Sequence, residues 1–593
     1  RRRRRRHRRW PWIVGGVFLL LVVVAGGAVW VASSAFTVKD ELEASRPLLT
    51  TVKEKVLAGE AASAQGDVDQ LKAHVDKAEE AVSGPAWALG ELIPGIGENL
   101  VAVRTITHSV SDVVDGAVVP AVALGDSLSP AVFKPVDGAV NLAAIQSVMP
   151  VLDSAGTALT GARNDISGLK TDSLIGPVKT AVTQINDLVS EVEPAIATAK
   201  SLAPVLPALL GADGPRNYLL VFQNSAEVRP LGGIAGAQVL ITADQGHVSI
   251  AQQASGRDFP FESEDFANTK VGKPARELFL VPFGLQSQNN TLTPRVEIAA
   301  DLTRSMWQNT RGVTSDTVIF LDPTALTYIL SATGPVTLDD GTVVNHDNAI
   351  DLLLNQVYEK YAGRPNSDAP DLQDAFFSSV AEKTFSAVMN GNLDVETFVT
   401  AMTKGAREHR ILASSTDPMI AQLVADGGFG GRLPQETDTS REVGVYYSDY
   451  QGSKMDYYLR TAVAVGQQTC TDGSTRVRVQ VSATNTVDPA VVDDLSIYVT
   501  GNSGNNFNVP IGDLRIFTYI YAPPGSTVVA IDGSTSQADS FVGTDGDYPV
   551  ARGVIQSAPG ETQTATIDID VTGLPLKAVD ALIGPQLVTP EVT

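Results

Sequence analysis

Two stretches of this sequence carry residue types that chemistry needs. The first is Gln223-Asn224-Ser225-Ala226-Glu227-Val228-Arg229-Pro230-Leu231-Gly232-Gly233, a polar loop directly after an apolar run, Tyr218 to Phe222. An arginine such as Arg229 can grip a phosphate or a carboxylate with two parallel N–H donors. Asn224 and Glu227 add hydrogen-bonding groups. Gly232 and Gly233 free the backbone either to turn tightly or to approach a ligand. The second stretch is Ser255-Gly256-Arg257-Asp258-Phe259-Pro260, where a cation and a carboxylate are adjacent. Both stretches also have a plainer reading, in which Arg229 with Glu227, or Arg257 with Asp258, ties its loop down through an ion pair.

Other signatures fail on context. Gly125-Asp126-Ser127-Leu128 and Asp244-Gln245-Gly246-His247 spell the nucleophile and Asp-x-x-His blocks of one esterase class. The serine falls in a helical stretch, however, and the histidine in a hairpin turn. The six histidines are scattered without ligand spacing, so no metal site is expected. No Gly-x-x-x-x-Gly-Lys phosphate loop occurs. Asp339-Asp340 and Asp493-Asp494 read as solvated turns, and the lone Cys470 excludes an intramolecular disulfide.

The elements that must position these residues fall into regimes. Residues 37–210 read as helices. Val68, Leu71, Val75, Ala78 and Val82 recur at 3-4-3-4 spacing, as do Val178, Val182, Ile185, Val189 and Val192. Between these stripes, the glycines and prolines of 84–97 forbid a continuous helix; this apolar kink either packs the bundle or rests on a membrane face. Residues 211–440 mix strands (218–222, a hairpin around 244–246, 317–321) with helices (298–307, 323–331, 348–361, 371–389), the pattern of an α/β domain. Residues 441–575 alternate apolar and polar positions, as at Val477, Val479 and Val481, and read as an antiparallel β-sandwich. Residues 576–593 read as a tail. The fold class expected is therefore multi-domain α+β.

Residues 1–36 set the compartment. Eight of the first nine residues are arginine, and no charge follows from Trp10 to Val38. An apolar run of the length of Ile13–Val31 spans a bilayer as a helix, and the flanking arginines mark the cytoplasmic side. A cleaved signal peptide is the alternative, but its apolar core is usually shorter, about 7–15 residues. The expectation is a single-pass cell-membrane protein, N-terminus inside, bulk outside. Beyond the leading arginines, 36 basic residues face 67 acidic ones, a formal charge of −31 that argues against nucleic acid as a partner.

The loop 217–233, the stretch Asp322-Pro323-Thr324-Ala325-Leu326 with Ala332-Thr333-Gly334-Pro335-Val336, and Gly452-Ser453-Lys454-Met455-Asp456-Tyr457-Tyr458-Leu459 together resemble the actinobacterial membrane proteins grouped as domain-of-unknown-function family 4012. Over the α/β domain the chain is also similar to the LytR-CpsA-Psr family, which attaches phosphate-linked glycopolymers to peptidoglycan. Arg257-Asp258 follows the hairpin as that family's Pro-Arg-Asp element does. This resemblance makes Arg257 and Asp258 the candidate catalytic residues. Arg257 then joins Asn224, Glu227, Arg229, Gly232 and Gly233 in the ligand-binding set, and a magnesium ion is implied if the phosphotransferase activity is shared. The departures are large. Ile234-Ala235-Gly236 stands where Arg-Ser-Asp is expected, and of a later arginine-rich stretch only Arg364 remains. The reading is a non-catalytic cell-envelope protein that needs no cofactor and binds or scaffolds wall glycopolymers or other envelope proteins. The alternative is a phosphotransferase or hydrolase acting on polyprenyl-pyrophosphate-linked glycopolymers, with polyprenyl phosphate lipid as its partner.

Overall fold

The computed structural model describes residues 10–58, 60–125, 132, 134–136, 138–279, 283–362, 369–390, 393–501 and 508–593. The basic run 1–9, the serine of the esterase-like block and Arg364 lie outside the described residues. The chain divides into two compact units, residues 1–135 with 140–213 and residues 136–139 with 214–593.

The first unit is helical. Helix α1 (Trp10–Leu57) is continuous over 48 residues, so the uncharged run and the first stalk helix form one rod. Helix α2 (Gln65–Val82) buries Val68, Leu71, Val75, Ala78 and Val82, because 3-4-3-4 spacing puts these side chains on one face. They meet Val38, Leu48 and Val52 of α1. A proline at its first turn starts the short α3 (Pro85–Gly90), and α4 (Gly97–Val113) follows. Helices Leu142–Ser167 and Gly176–Leu202 join through Leu159, Ala162 and Val189, and reach α4 through Ala102, Ile106, Ile166 and Val182. Among the described residues one helix, Leu142–Ser167, is long and apolar enough to cross a membrane, and 28 % of its apolar window is buried against other helices. The expected anchor lies within α1, and the side chains of residues 10–25 are outside those described.

The second unit opens with β1 (Arg216–Asn224), β2 (Ile234–Asp244), β3 (His247–Ser255) and β4 (Thr317–Leu321), then β5 (Val336–Thr337), β6 (Val343–Val344) and β7 (Ile411–Ser415). One sheet has the order β3-β2-β1-β4-β7, with β1 and β4 parallel and the other pairs antiparallel. Gln245 and Gly246 both take positive φ, 49° and 84°, as a two-residue hairpin turn requires. Alternation along β1 sends Leu219 and Val221 into a core with Ala299, Met306 and Trp307 of helix Val296–Arg311. Leu220 and Phe222 face the other way, toward Ile329, Phe385 and Met402 of helices Pro323–Thr333, Ala369–Met389 and Val395–Arg407.

Ten further strands follow: β8 (Ser440–Asp449), β9 (Leu459–Thr469), β10 (Thr475–Asn485), β11 (Leu514–Tyr521), β12 (Thr527–Asp532), β13 (Phe541–Asp545), β14 (Tyr548–Ser557), β15 (Thr562–Asp570), β16 (Ala578–Ile583) and β17 (Glu591–Val592). They form two five-stranded sheets, β12-β15-β10-β9-β17 and β13-β14-β11-β8-β16. Val445, Ile516 and Ile555 of one share a core with Val479, Val481 and Ile567 of the other. The far face of the β8 sheet is aromatic. Its Phe517, Tyr519 and Tyr521 bury Leu278, Phe279 and Phe283 of the preceding region.

Two expectations are corrected. The boundary at 440/441 falls inside one compact unit, because the β8 sheet is apolar on both faces and needs a partner on each. Residues 576–593 are no tail. β16 lies parallel to β8 from Ala578↔Ser440 to Ile583↔Val445, and β17 pairs with β9. Short, partly polar segments carry weak sequence patterns, yet both complete sheet edges here.

Candidate functional site

The loop after β1 and the loop after β8 hold the two halves of one buried ion cluster. The first contributes Glu227 and Arg229, the second Asp449, Lys454 and Asp456, and all but Lys454 have under a tenth of their residue surface exposed. Lys454 pairs with Glu227 and sits 5.1 Å from the centre of the Tyr358 ring. Arg229 Nη1 lies 3.9 Å from Asp449 Oδ2 and donates to the Val228 carbonyl at 3.0 Å. Backbone bonds complete the joint. Val228 N–H donates to Asp456 Oδ2 at 2.8 Å, and Asp449 N–H donates to Val228 O at 2.8 Å. Asn224 accepts from Ala226 N–H at 3.0 Å and donates to the Tyr358 hydroxyl at 2.5 Å.

Three carboxylates here meet two cations. A surplus negative charge in a dry site is costly, and a carboxylate relieves it by keeping a proton. Burial pushes the Asp449 carboxyl up to about 6, with Arg229 pulling it down and Glu227 pushing it up. Asp456 stands well above the usual carboxylate range, through burial first and the charge of Asp449 second. Burial alone would lower the Lys454 pKa, but Glu227 and Tyr358 hold it above its ordinary value.

Gly232 and Gly233 serve tight packing of the loop against β1. A Cβ on Gly233 would lie 2.5 Å from the Asn224 carbonyl, and one on Gly232 would lie 2.8 Å from Gln223 Oε1. Gly233→Ala should therefore lower stability by about 1–3 kcal/mol, the usual cost of overpacking; a chemical-denaturation midpoint equal to wild type would reject this account.

Arg257 and Asp258 belong to a different neighbourhood. They form a single 3₁₀ turn capped by Ser255, whose backbone N–H donates to Asp258 Oδ2 at 3.0 Å. Arg257 pairs with Asp374 and lies 3.6 Å from Asp371, both on helix Ala369–Met389, while Asp258 pairs with Arg311 at 3.2 Å. The Arg257 side chain is 43 % exposed. The seven candidate residues thus fall into two groups, a buried joint and a surface turn.

Several ionic residues escape sequence reasoning. Arg410 and Asp322 form a buried pair at 2.7 Å. Arg295 Nε meets Asp545 Oδ1 at 2.9 Å, and Arg552 donates to the Glu277 carbonyl at 3.1 Å. Their partners lie 88, 250 and 275 residues away, and no local spacing announces them. Lys454 and Asp456 sit in a stretch whose motif was visible without their pairing. Among the described residues no three His, Cys, Asp or Glu side chains come together to hold a metal ion. Beside the Arg229 loop, a cavity lined by Pro230, Leu231, His409, Arg432, Tyr446 and Gly584 has about 20 Å³, room for a single water.

This architecture defines a multi-domain α+β protein with a helical unit followed by a mixed-sheet unit. Residues 213–358, from β1 through Tyr358, match the model of a family described as protein of unknown function, DUF4012. No curated protein matches the chain. Among solved structures the chain is similar to protein gbs0355 from Streptococcus agalactiae at 11 % identity, over 40 % of this chain and 81 % of that one, with a TM-score of 0.24. A likeness at that level carries no argument about function.

Proposed function

We propose that this chain is a membrane-anchored protein of the bacterial cell envelope, with its bulk outside the cytoplasm, that binds or scaffolds wall glycopolymers or other envelope proteins without catalysis. The observation that carries the non-catalytic part is the engagement of Arg229. Arg229 is 7 % exposed, and its Nη1 donates to the Val228 carbonyl and faces Asp449, so a pyrophosphate could reach this guanidinium only by opening the joint. Arg410, Arg295 and Arg552 are likewise committed to carboxylates or backbone carbonyls within the unit. The anchor rests on the arginine-flanked, uncharged N-terminal run continued by α1.

A phosphotransferase or hydrolase would have to work from Arg257 and Asp258, which are the exposed members of the set and would need to leave Asp374, Asp371 and Arg311. The test uses the full-length protein, purified in detergent from a wall-bearing bacterium. Wild type should retain purified wall glycopolymer or an envelope protein on an affinity support, and native mass spectrometry should find no bound polyprenyl phosphate. A co-purified polyprenyl pyrophosphate that disappears in Arg257→Ala would overturn the non-catalytic reading.

A further inference from the structure

We infer that the loop Leu89–Ile96 of the helical unit is a second membrane contact, an apolar foot inserted into the outer interface of the bilayer beside the anchor. This rests on the anchor proposed above. Within eight residues, Leu89, Leu92, Ile93 and Ile96 are 68, 77, 49 and 54 % exposed, an apolar patch that a water-facing loop has no reason to keep. From Gly84 to Gly97 the only charged residue is Glu91. Its carboxylate is turned inward, 10 % exposed, and bridges Arg104 at 2.7 Å. The loop's outward surface is therefore uncharged.

Its height along α1 is fixed by packing. A Cβ on Gly84 would collide with the Trp30 ring, and one on Gly90 would lie 3.6 Å from Val31 Cγ2. Trp87 is fully buried and donates its indole N–H to the Leu100 carbonyl at 3.2 Å, locking α3 to α4. The loop thus stands level with Trp30 and Val31, where the apolar run ends. From Ile13 to Val31 a helix rises roughly 28 Å, close to the hydrocarbon thickness of a bilayer. Because α1 continues unbroken to Leu57, an anchor spanning Ile13–Val31 carries the loop to the depth where interfacial apolar segments settle. The loop offers no unpaired cation, so the lipid it takes is recognised by its acyl and glycerol region, with no preference for anionic headgroups.

The experiment uses the full chain reconstituted in vesicles, with Cys470→Ser as background and a bimane dye at Leu20→Cys, Leu92→Cys, Ile93→Cys or Asp153→Cys. Vesicles are phosphatidylcholine with or without phosphatidylglycerol, doped with lipids brominated on the acyl chains. Expected are quenching and blue-shifted emission at 20, 92 and 93, water-like emission at 153, and equal quenching in both lipid mixtures. Quenching at 20 with water-like emission at 92 and 93 overturns the foot and leaves the anchor. A blue shift at 92 and 93 without bromine quenching means protein covers the face, and also overturns it. Absence of quenching at 20 and at 92 and 93 removes anchor and foot together, whereas quenching at 92 and 93 alone keeps the foot and removes the anchor.

Discussion

Replacing Arg229 by alanine should destabilise the 214–593 unit by about 3–5 kcal/mol at pH 8, the usual cost of removing one partner from a buried ionic pair. Without Arg229, Glu227, Asp449 and Asp456 face Lys454 alone. The same variant should be milder at pH 5, because a carboxyl already raised to about 6 protonates readily there and relieves the excess charge. Arg257→Ala should behave differently. Its guanidinium is 43 % exposed and its ion pairs are solvent-screened, so the expected loss is under about 1 kcal/mol at either pH. Chemical denaturation of the two variants at both pH values separates the joint from the surface turn. An Arg229→Ala protein as stable as wild type at pH 8 would mean that the cluster is solvated, and that Arg229 is available to a ligand after all.

The parts legible in the sequence are those governed by local periodicity. The expected strand 317–321 coincides with β4, and the stripe from Val68 to Val82 is the buried face of α2. The alternation at Val477, Val479 and Val481 gives β10, with all three side chains buried. The candidate loop was also legible, since two glycines, an arginine and a glutamate after an apolar strand are unusual company. Its role was not. Whether Arg229 binds a ligand or closes a joint depends on Asp449 and Lys454, more than 200 residues away in sequence. The β16 edge was missed for a related reason. Ala578–Ile583 becomes a strand because β8 offers it an open side and a core, and Leu582 is buried there; nothing within the segment demands it. Tertiary context of this kind overrides weak β-propensity.

The same joint predicts an unusual pH response for Asp456→Asn. Asparagine keeps an oxygen to accept the Val228 N–H and mimics the protonated acid in shape and charge. In the unfolded chain an aspartate loses its proton near pH 4. In the folded cluster Asp456 holds its proton well above that range, because burial and the Asp449 carboxylate oppose ionisation. Folding therefore takes up a proton above pH 4, and the contribution of Asp456 is fully present below the unfolded pKa and lost as pH rises toward the folded one. The loss runs at up to about 1.4 kcal/mol per pH unit for one such group. Asparagine has no proton to lose. Relative to wild type, Asp456→Asn should thus gain stability as pH rises above 4, until Asp456 ionises in the folded cluster as well. Carboxylates held low by ion pairs, such as Glu442 beside Arg432 and Asp568 beside Arg478, respond in the opposite sense. They are common to both proteins and cancel in the difference. Denaturation midpoints of the two proteins at four or five pH values give the curve directly. A flat difference would show that Asp456 ionises with an ordinary pKa, and that the joint between the two loops is held by a fully charged cluster rather than by one sharing a proton.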